Sequence, residues 1–221
     1  LRRRIPRTFH CRRTPMANPA GCPARAVSLF PGIALPPHLN YALNFVGSQL
    51  LWLAAVGGAA NGMPWLGPAF LVLFAAYQLS PPCRARGDVA LMGIALLVGL
   101  VVDSIMAATG LARYASPFPF EWMAPLWILS LWVGFALTFN HSIAYLVSRP
   151  WVAAALGAVA GPWSYGGAAR AWGAVEFAPP TWPALLVLGL LWALAMPLLA
   201  FASRQLAATG GPSVTQVETG T

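Results

Sequence analysis

Long apolar runs separated by short polar stretches dominate the chain from residue 39 onward. A helix needs roughly 20 apolar residues to cross the hydrocarbon core of a bilayer. Because the runs are continuously apolar rather than alternating, they favour helices over the strands of a membrane barrel. Six runs predict membrane spans, at about 39–59, 66–81, 89–110, 123–147, 151–169 and 182–203. The predicted fold is an all-α, polytopic transmembrane helix bundle of about six spans.

Composition supports this prediction and excludes an ordinary soluble domain. Of the 221 residues, 58% are hydrophobic and only 8% are charged, whereas roughly a quarter of the residues in soluble domains are charged. The formal net charge of +8 does not indicate a nucleic-acid partner, because seven of the thirteen Arg residues lie in residues 1–37. The rest of the chain is nearly neutral, so the basic character belongs to a tail.

The predicted membrane domain covers residues 38–204, with a tail at each end. Residues 1–37 combine the Arg cluster with repeated Pro, which interrupts helices, so they are predicted to be disordered. The chain begins at Leu1 and its first Met is Met16. An over-extended gene start is therefore one explanation of this tail, beside a targeting segment or a basic arm on anionic lipid. Residues 205–221 are predicted to form a disordered C-terminal tail.

The Arg residues of the predicted short loops fall unevenly on the two sides of the membrane. One side has Arg84, Arg86, Arg149 and Arg204, together with the Arg-rich N-terminus. The other side has Arg113 and Arg170. Because cytoplasmic loops are enriched in Lys and Arg, both termini of this multi-pass protein are predicted to be cytoplasmic.

Asp103 is the only acidic residue inside a predicted span. A carboxylate in the bilayer costs about 3 kcal/mol on insertion scales, so Asp103 is expected to be paired, protonated or next to a watery cavity. By the helical rise of about 1.5 Å per residue, it lies in the outer half of the bilayer. Its expected partners there are Tyr165, Arg170 and Arg113. A hydrogen bond that merely joins two helices remains an alternative role.

A second set of polar residues is predicted near the inner face. The fourth span carries a stripe with helical spacing: Ser130, Gly134, Thr138, His141 and Tyr145. Beside it or at a similar depth lie Asn140, Asn44, Tyr77 and Gln78, with Gln49 nearer the middle. About 20 Å of helical rise separates Asp103 from His141, which disfavours a catalytic dyad of these two. Helix-to-helix hydrogen bonding is again the alternative.

The fifth span is predicted to be a packing helix with a break. Gly157 and Gly161 form a GxxxG motif that permits close contact with another helix. Pro162 follows directly and is expected to interrupt the helical hydrogen bonds, so that irregular backbone could line a cavity. A kinked helix with only a packing role is the alternative.

Tryptophan is placed both at the ends of the predicted spans and inside them. At span ends an indole can keep its ring in the acyl region and its N–H in the headgroup layer. Trp65, Trp122, Trp151 and Trp182 are predicted to do so. Trp52, Trp127, Trp132, Trp163 and Trp192 are predicted to fill space between helices.

No catalytic, cofactor or metal site is predicted. The three Cys residues have no CxxC spacing, and His141 is the only His inside a span, whereas a zinc site needs three or four converging ligands. The sequence has no HExxH motif and no Gly-rich loop with phosphate-binding spacing.

Several short motifs in a fixed order resemble a family of small bacterial inner-membrane proteins known as domain of unknown function 2878. The resemblance covers about residues 39–200. It rests on Asn44-Phe45 with Gln49 and Trp52, Asp103-Ser104, Pro125-Leu126-Trp127 with Leu131-Trp132 and Phe135, His141-Ser142, Gly161-Pro162, and Tyr165-Gly166. It implies a multi-span membrane protein and supplies no established activity.

Three kinds of function fit these observations. The favoured hypothesis is a non-enzymatic membrane protein, either an accessory subunit or a small-solute or lipid-handling protein, with Asp103 and Tyr165 at its cavity. Its expected partners are the lipid bilayer and either a membrane partner protein or a second copy joined through Gly157 and Gly161. The alternatives are a membrane-embedded enzyme acting on a lipid through Asp103 or His141, and a purely structural or assembly protein.

Overall fold

The computed structural model of the protein describes residues 27–30, 33–81 and 83–209. It consists of six α-helices and two small antiparallel sheets of two strands each. In chain order the elements are β1 Val27–Phe30, β2 Ile33–Leu35, α1 Pro37–Ala60, α2 Leu66–Gln78, α3 Asp88–Ala108, β3 Ala112–Tyr114, α4 Leu126–Phe139, α5 Pro150–Gly167, β4 Val175–Phe177 and α6 Thr181–Thr209.

Each of the six predicted spans contains one helix. Among the described residues, three helices are long and apolar enough to cross a membrane: His38–Ala60, Asp88–Ala108 and Thr181–Thr209. Both α2, with 13 residues, and α4, with 14 residues, are shorter than a full span. The structure therefore confirms where the helices lie and that the fold is a mainly helical bundle, three of whose described helices are long and apolar enough to cross a membrane.

The helix α4 ends earlier than the apolar run predicts. It stops at Phe139, and residues 140–149 form turns that include a short 3-10 segment, Ala144–Leu146. The backbone N–H groups of His141 and Ile143 both donate to the carbonyl of Thr138, which closes the helix. His141 and Tyr145 are therefore not on one helix face with Ser130 and Thr138, and the prediction of a continuous polar stripe was wrong.

The fifth span fits the packing-helix alternative rather than a broken helix, although Pro162 itself has no N–H for the helical hydrogen bonds. The helix α5 continues through Pro162 to Gly167 and passes into a π-helical turn, Ala168–Trp172. Irregular backbone therefore begins only after Gly167.

The predicted close contact at the GxxxG motif is confirmed, and α6 makes it. A Cβ atom on Gly157 would lie 2.5 Å from the carbonyl oxygen of Trp192, and one on Gly161 would lie 2.5 Å from the Trp192 indole. On α6, a Cβ atom at Gly189 would lie 3.4 Å from Pro162. Because this glycine face is covered within the same chain, it is not available for the predicted self-association.

The helix α4 is the centre of the bundle. Ten of its 14 residues are buried, and it packs against α1, α2 and α3. The helix α6 packs against α3 and α5 on the other side. Trp127, Phe139 and Leu188 are among the large side chains fully buried between these helices.

Two small sheets depart from the all-α prediction. One is the pair β1–β2, which lies inside the predicted N-terminal tail. The other joins β3 to β4 in the register Ala112↔Phe177, Arg113↔Glu176 and Tyr114↔Val175. This second pair connects the α3–α4 and α5–α6 loops, so it fixes both loops at the same end of the bundle.

The C-terminal boundary also differs from the prediction. The helix α6 extends to Thr209, so residues 205–209 are helical rather than disordered. Within the two predicted tails, residues 1–26, 31–32 and 210–221 lie outside the described residues.

Candidate functional site

The Asp103 carboxylate is a completely buried hydrogen-bond acceptor in the middle of the bundle. Its exposed fraction is 0%. Tyr165 on α5 and Tyr114 on β3 donate to Oδ1 over 2.7 Å and 2.8 Å, and Trp132 on α4 donates from Nε1 to Oδ2 over 2.7 Å. We call these four residues the Asp103 cluster. It connects α3, α4, α5 and β3 through one carboxylate.

Tyr114 reaches this carboxylate because the β3–β4 pair holds it over the end of α3. Its neighbour Ala115 is fixed on both sides, since its N–H donates to Ala174 and its carbonyl accepts from the Trp127 indole. Burial, together with the adjacent Asp103 carboxylate, raises the pKa of Tyr114 well above its usual value. The hydroxyl therefore stays protonated and serves as a donor.

The structure confirms one of the three predicted partners of Asp103 and replaces the other two. Tyr165 donates to the carboxylate as expected. Arg113 and Arg170 are exposed, and no ion pair joins either of them to Asp103 in the part of the chain that the structure describes. Neutral donors from Tyr114 and Trp132 take their place. The sequence predicts only that Trp132 fills space between helices. Nothing in its sequence position shows whether its indole N–H also donates a hydrogen bond.

A second buried carboxylate, Asp88, lies at the start of α3. Its exposed fraction is 1%. It accepts hydrogen bonds from the Ala85 backbone N–H over 2.8 Å and from the Asn140 side chain over 2.8 Å. The Nε2 atom of His141 lies 3.1 Å from Oδ2 of Asp88. Sequence analysis predicts Asn140 and His141 as site residues but does not predict Asp88. Next to Arg86 and Gly87, Asp88 has the pattern of a charged residue in a loop.

A chain of amides continues from His141 toward α1 and α2. The Nε2 atom of Gln78 lies 3.1 Å from each of the two ring nitrogens of His141. Asn44 donates to Oε1 of Gln78 over 2.7 Å, and Ser142 donates from its hydroxyl to Oδ1 of Asn44 over 2.7 Å. On the other side of Asp88, Ser203 of α6 donates to Oδ1 of Asn140 over 2.7 Å. We call these seven residues the Asp88 network.

The directions of these hydrogen bonds define the state of His141. Because a carboxylate only accepts, His141 donates from Nε2 to Asp88. Gln78 uses its oxygen to accept from Asn44, so its NH₂ group donates to the remaining acceptor of the ring, Nδ1. Both nitrogens of a neutral imidazole are then occupied. The hydrogen bonds that link the members of the network to one another run toward Asp88, while Asn44 also donates to the carbonyl of Leu137 and Gln78 to that of Cys83. This arrangement suits a fixed tie between helices better than a group that exchanges protons with a substrate.

The Asp88 network brings together four of the residues predicted near the inner face, without Tyr77, and separates them from Asp103. Asn44, Asn140 and His141 come together with Gln78, as their positions in the predicted spans suggested. Gln49 does not join them and lies on the wall of a cavity. Asp88 and Asp103 are 15 residues apart on α3, or about 22 Å along the helix axis. The two clusters therefore occupy different levels of the bundle.

A cavity of about 440 Å³ lies between α1, α4, α5 and α6. Such a volume is in the usual range of small-molecule sites. Most of its wall is apolar or aromatic, including Leu51, Ile128, Phe135, Trp163 and Met196. The polar positions on the wall are Ser48, Gln49, Ser164 and Tyr165. We call it the lateral cavity.

The lateral cavity is closed at one end and open on one side. Buried Ala168 and Val175 bound it next to the β3–β4 sheet. The exposed residues on its wall are Gln49 of α1 with Ala160 and Trp163 of α5, and Trp163 is 81% exposed. A 2.9 Å hydrogen bond from Trp52 to Ser164 crosses from α1 to α5. The opening therefore faces the side of the bundle, between α1 and α5.

The cavity touches the Asp103 cluster without reaching the carboxylate itself. Trp132 and Tyr165 belong to its wall, while their N–H and O–H groups donate to Asp103 behind it. Trp192 lies beside them, with ring centroids 4.6 Å from Trp132 and 6.3 Å from Tyr165. The buried charge thus acts on the cavity only through two neutral side chains.

The titratable residues are not arranged to hold a metal ion. Within the described ranges, no group of three or more His, Cys, Asp or Glu side chains comes together. Asp88 and His141 form the one carboxylate–imidazole pair found there.

Comparison with known proteins identifies a family. A family model described as "Protein of unknown function (DUF2878)" matches residues 41–198, which is more than half of the chain. The protein therefore belongs to this family, as the motif resemblance predicted. The matched region covers the Asp103 cluster, the lateral cavity and all of the Asp88 network except Ser203. No curated protein and no solved structure gives a match.

Proposed function

We propose that this protein is a non-enzymatic, multi-pass protein of the bacterial inner membrane that binds an apolar or amphipathic molecule taken from the bilayer. The lateral cavity carries this proposal. Its wall is mainly apolar, and its exposed residues lie on α1 and α5, well inside those helices rather than at their ends. A ligand would enter between the two helices from the hydrocarbon region.

The proposed topology has six spans and two cytoplasmic termini. The Asp88 network supports it, because it gathers the beginnings of α1 and α3 with the ends of α2 and α6 at one level of the bundle. The indoles of Trp65, Trp122, Trp151 and Trp182 are all exposed, as expected for side chains at the two membrane interfaces. In this arrangement α2 and α4 are shorter than the membrane is thick. Irregular backbone next to α4 is tolerated at membrane depth because protein covers this helix.

The hydrogen bonding of Asp103 and His141 supports a non-enzymatic role. Asp103 is surrounded by three donors, and both nitrogens of His141 are engaged. A general acid or base must reach the proton of a substrate directly or through one water. Asp103 and His141 are instead hydrogen-bonded to side chains of neighbouring segments.

Photolabelling with a lipid tests the proposal. The probe is a phosphatidylcholine with a diazirine near the end of one acyl chain, used in vesicles that contain the purified protein. We expect labelling of buried cavity residues such as Trp132 and Met196. Leu at position 167 would extend into the cavity, so Gly167→Leu is expected to reduce this labelling.

Gly166→Leu is the matched control for Gly167→Leu. A Cβ atom meets nothing within 4 Å at either glycine, and only Gly167 belongs to the cavity wall. The control is expected to keep the labelling of Trp132 and Met196. Labelling restricted to outward-facing residues such as Val159, which is 67% exposed, would overturn the proposed function.

A further inference from the structure

Three side chains on the wall of the lateral cavity each have a hydrogen-bonding proton that no described acceptor takes up. The Nε1 atom of Trp192 is buried and has no partner among the described residues. Ser164 accepts from Trp52 over 2.9 Å, and no described residue accepts the proton of its own hydroxyl. The NH₂ group of Gln49 donates to the Ser48 hydroxyl over 3.3 Å, and its second proton has no described acceptor. Ser164 and Gln49 on the cavity wall can thus still donate, and the indole of Trp192, which belongs to the same wall, has a third unused donor buried beside Tyr165.

Unused donors indicate the chemistry of the missing partner. A polar group in apolar surroundings without a hydrogen bond is unfavourable, so an acceptor oxygen inside the cavity would be stabilised. Water is a poor candidate to supply it at this depth of a bilayer, whereas an oxygen on an otherwise apolar molecule can enter with that molecule.

Charge around the cavity selects a neutral ligand. No residue of the cavity wall carries a charge, so an anionic group would find no cation there. Asp103 lies directly behind Trp132 and Tyr165, and its negative charge would repel an anion across these side chains.

We propose that the lateral cavity binds a neutral lipid through a carbonyl oxygen, which accepts hydrogen bonds from Trp192, Ser164 or Gln49 while the apolar part of the molecule contacts the aromatic and aliphatic wall. This proposal rests on the proposed function and defines its ligand. Two kinds of membrane molecule have this chemistry. One is a fatty-acyl ester, and the other is a quinone with an apolar chain.

Competition against the diazirine lipid tests the proposal. Four competitors are compared in vesicles at equal membrane concentration: an alkane, hexadecane; a neutral ester, methyl hexadecanoate; a quinone, decylubiquinone; and a permanent anion, hexadecyl sulfonate. We expect the ester or the quinone to displace the cavity label at least fivefold more effectively than hexadecane or the sulfonate, since one hydrogen bond is worth about 1 kcal/mol. Which of the two neutral carbonyl compounds competes better identifies the source of the carbonyl.

Two variants connect this preference to the donors. Trp192→Phe removes the indole N–H and keeps an aromatic ring, and Gln49→Met removes an amide at an exposed position where folding is not at risk. Each is expected to reduce the advantage of the carbonyl compounds over hexadecane by about fivefold. Trp182→Phe is the control, because it removes an indole N–H from an exposed position outside the cavity. Thermal denaturation confirms that each variant is folded.

The outcomes separate the two proposals. Equal competition by hexadecane, or equal competition by the sulfonate, would overturn the neutral-carbonyl proposal and leave the lateral cavity as a lipid site. An unchanged preference in both folded variants and in Ser164→Ala would overturn it as well. Failure of every competitor to displace the label would overturn the proposed function together with this inference.

Discussion

The hydroxyl of Tyr165 donates a 2.7 Å hydrogen bond to Oδ1 of Asp103 and thereby joins α5 to α3 inside the bundle. The same carboxylate accepts from Trp132 and Tyr114. All three donors are neutral, so the carboxylate is stabilised by hydrogen bonding rather than by a cation. Loss of the carboxylate would leave three buried donors without an acceptor.

The Asp103 cluster predicts a specific coupling between Asp103 and Trp132. In Asp103→Asn the amide oxygen can still accept from both tyrosines, but the NH₂ group then faces the indole N–H of Trp132. We expect the free energy of unfolding in mixed micelles to fall by about 1–3 kcal/mol. In a Trp132→Phe background the same change should cost less, because the opposing N–H is gone.

Trp122→Phe provides the control for this coupling. Trp122 is exposed and makes no hydrogen bond to Asp103, so its effect should add to that of Asp103→Asn. Additivity of Asp103→Asn with Trp132→Phe as well would contradict the cluster geometry.

The Asp88 network predicts that His141 contributes to stability rather than to activity. His141→Ala leaves Gln78 and Asp88 each without one partner, and we expect a loss of about 1–3 kcal/mol in the free energy of unfolding. His38→Ala, at an exposed position of α1, should change it by no more than about 0.5 kcal/mol. At a temperature where His141→Ala is still folded, photolabelling of the lateral cavity should be unchanged. An unaltered thermal midpoint for His141→Ala would argue against the network.

The contact between α5 and α6 predicts opposite effects at two glycines. In Gly157→Ala the new Cβ would lie 2.5 Å from the carbonyl oxygen of Trp192, and backbone cannot move aside as a flexible side chain can. We expect destabilisation of about 1–3 kcal/mol. Gly166→Ala places its Cβ in open space and should be neutral or stabilising, because Ala favours a helix over Gly by about 1 kcal/mol. The thermal midpoints of the two variants in detergent give the comparison.

Reporter fusions test the proposed topology. A reporter that is active only in the cytoplasm should be active when fused after Arg86 and inactive when fused after Arg113, because α3 lies between these positions. The order is set by the greater number of Arg residues on the Arg86 side. Finding both fusion points on the same side would rule out the six-span arrangement.

The helix positions and one of the polar contacts could be predicted from the sequence. Apolar runs give the approximate helix boundaries, since the length of a run and the period of a helix are local properties. Counting the helical rise also placed Tyr165 at the level of Asp103, and Asn44 with Gln78 and His141. These predictions needed only the order of the helices and the rule that neighbouring spans alternate in direction.

Other features depend on contacts between distant residues and could not be predicted. In the sequence, Asp88 has the pattern of a solvated charge in a loop. In the structure, the segment after α4 covers it with Asn140 and His141. That segment was assigned to a helix because Ile143 to Val147 continues the apolar run. Trp132 resembles packing bulk because an indole inside a span has the same sequence pattern whether or not its N–H donates. The lateral cavity results from the separation of α1 and α5, which hydropathy does not encode.

The order of the donors around Asp103 has a consequence for biosynthesis. Tyr114, Trp132 and Tyr165 follow the carboxylate by 11, 29 and 62 residues, so in the proposed topology a nascent chain that ends with α3 has none of them. At that stage the carboxylate opposes membrane insertion of α3 by about 3 kcal/mol. Each later segment supplies one donor and lowers this penalty. Stable insertion of the third helix therefore depends on residues that follow it in the chain and join the bundle only after it.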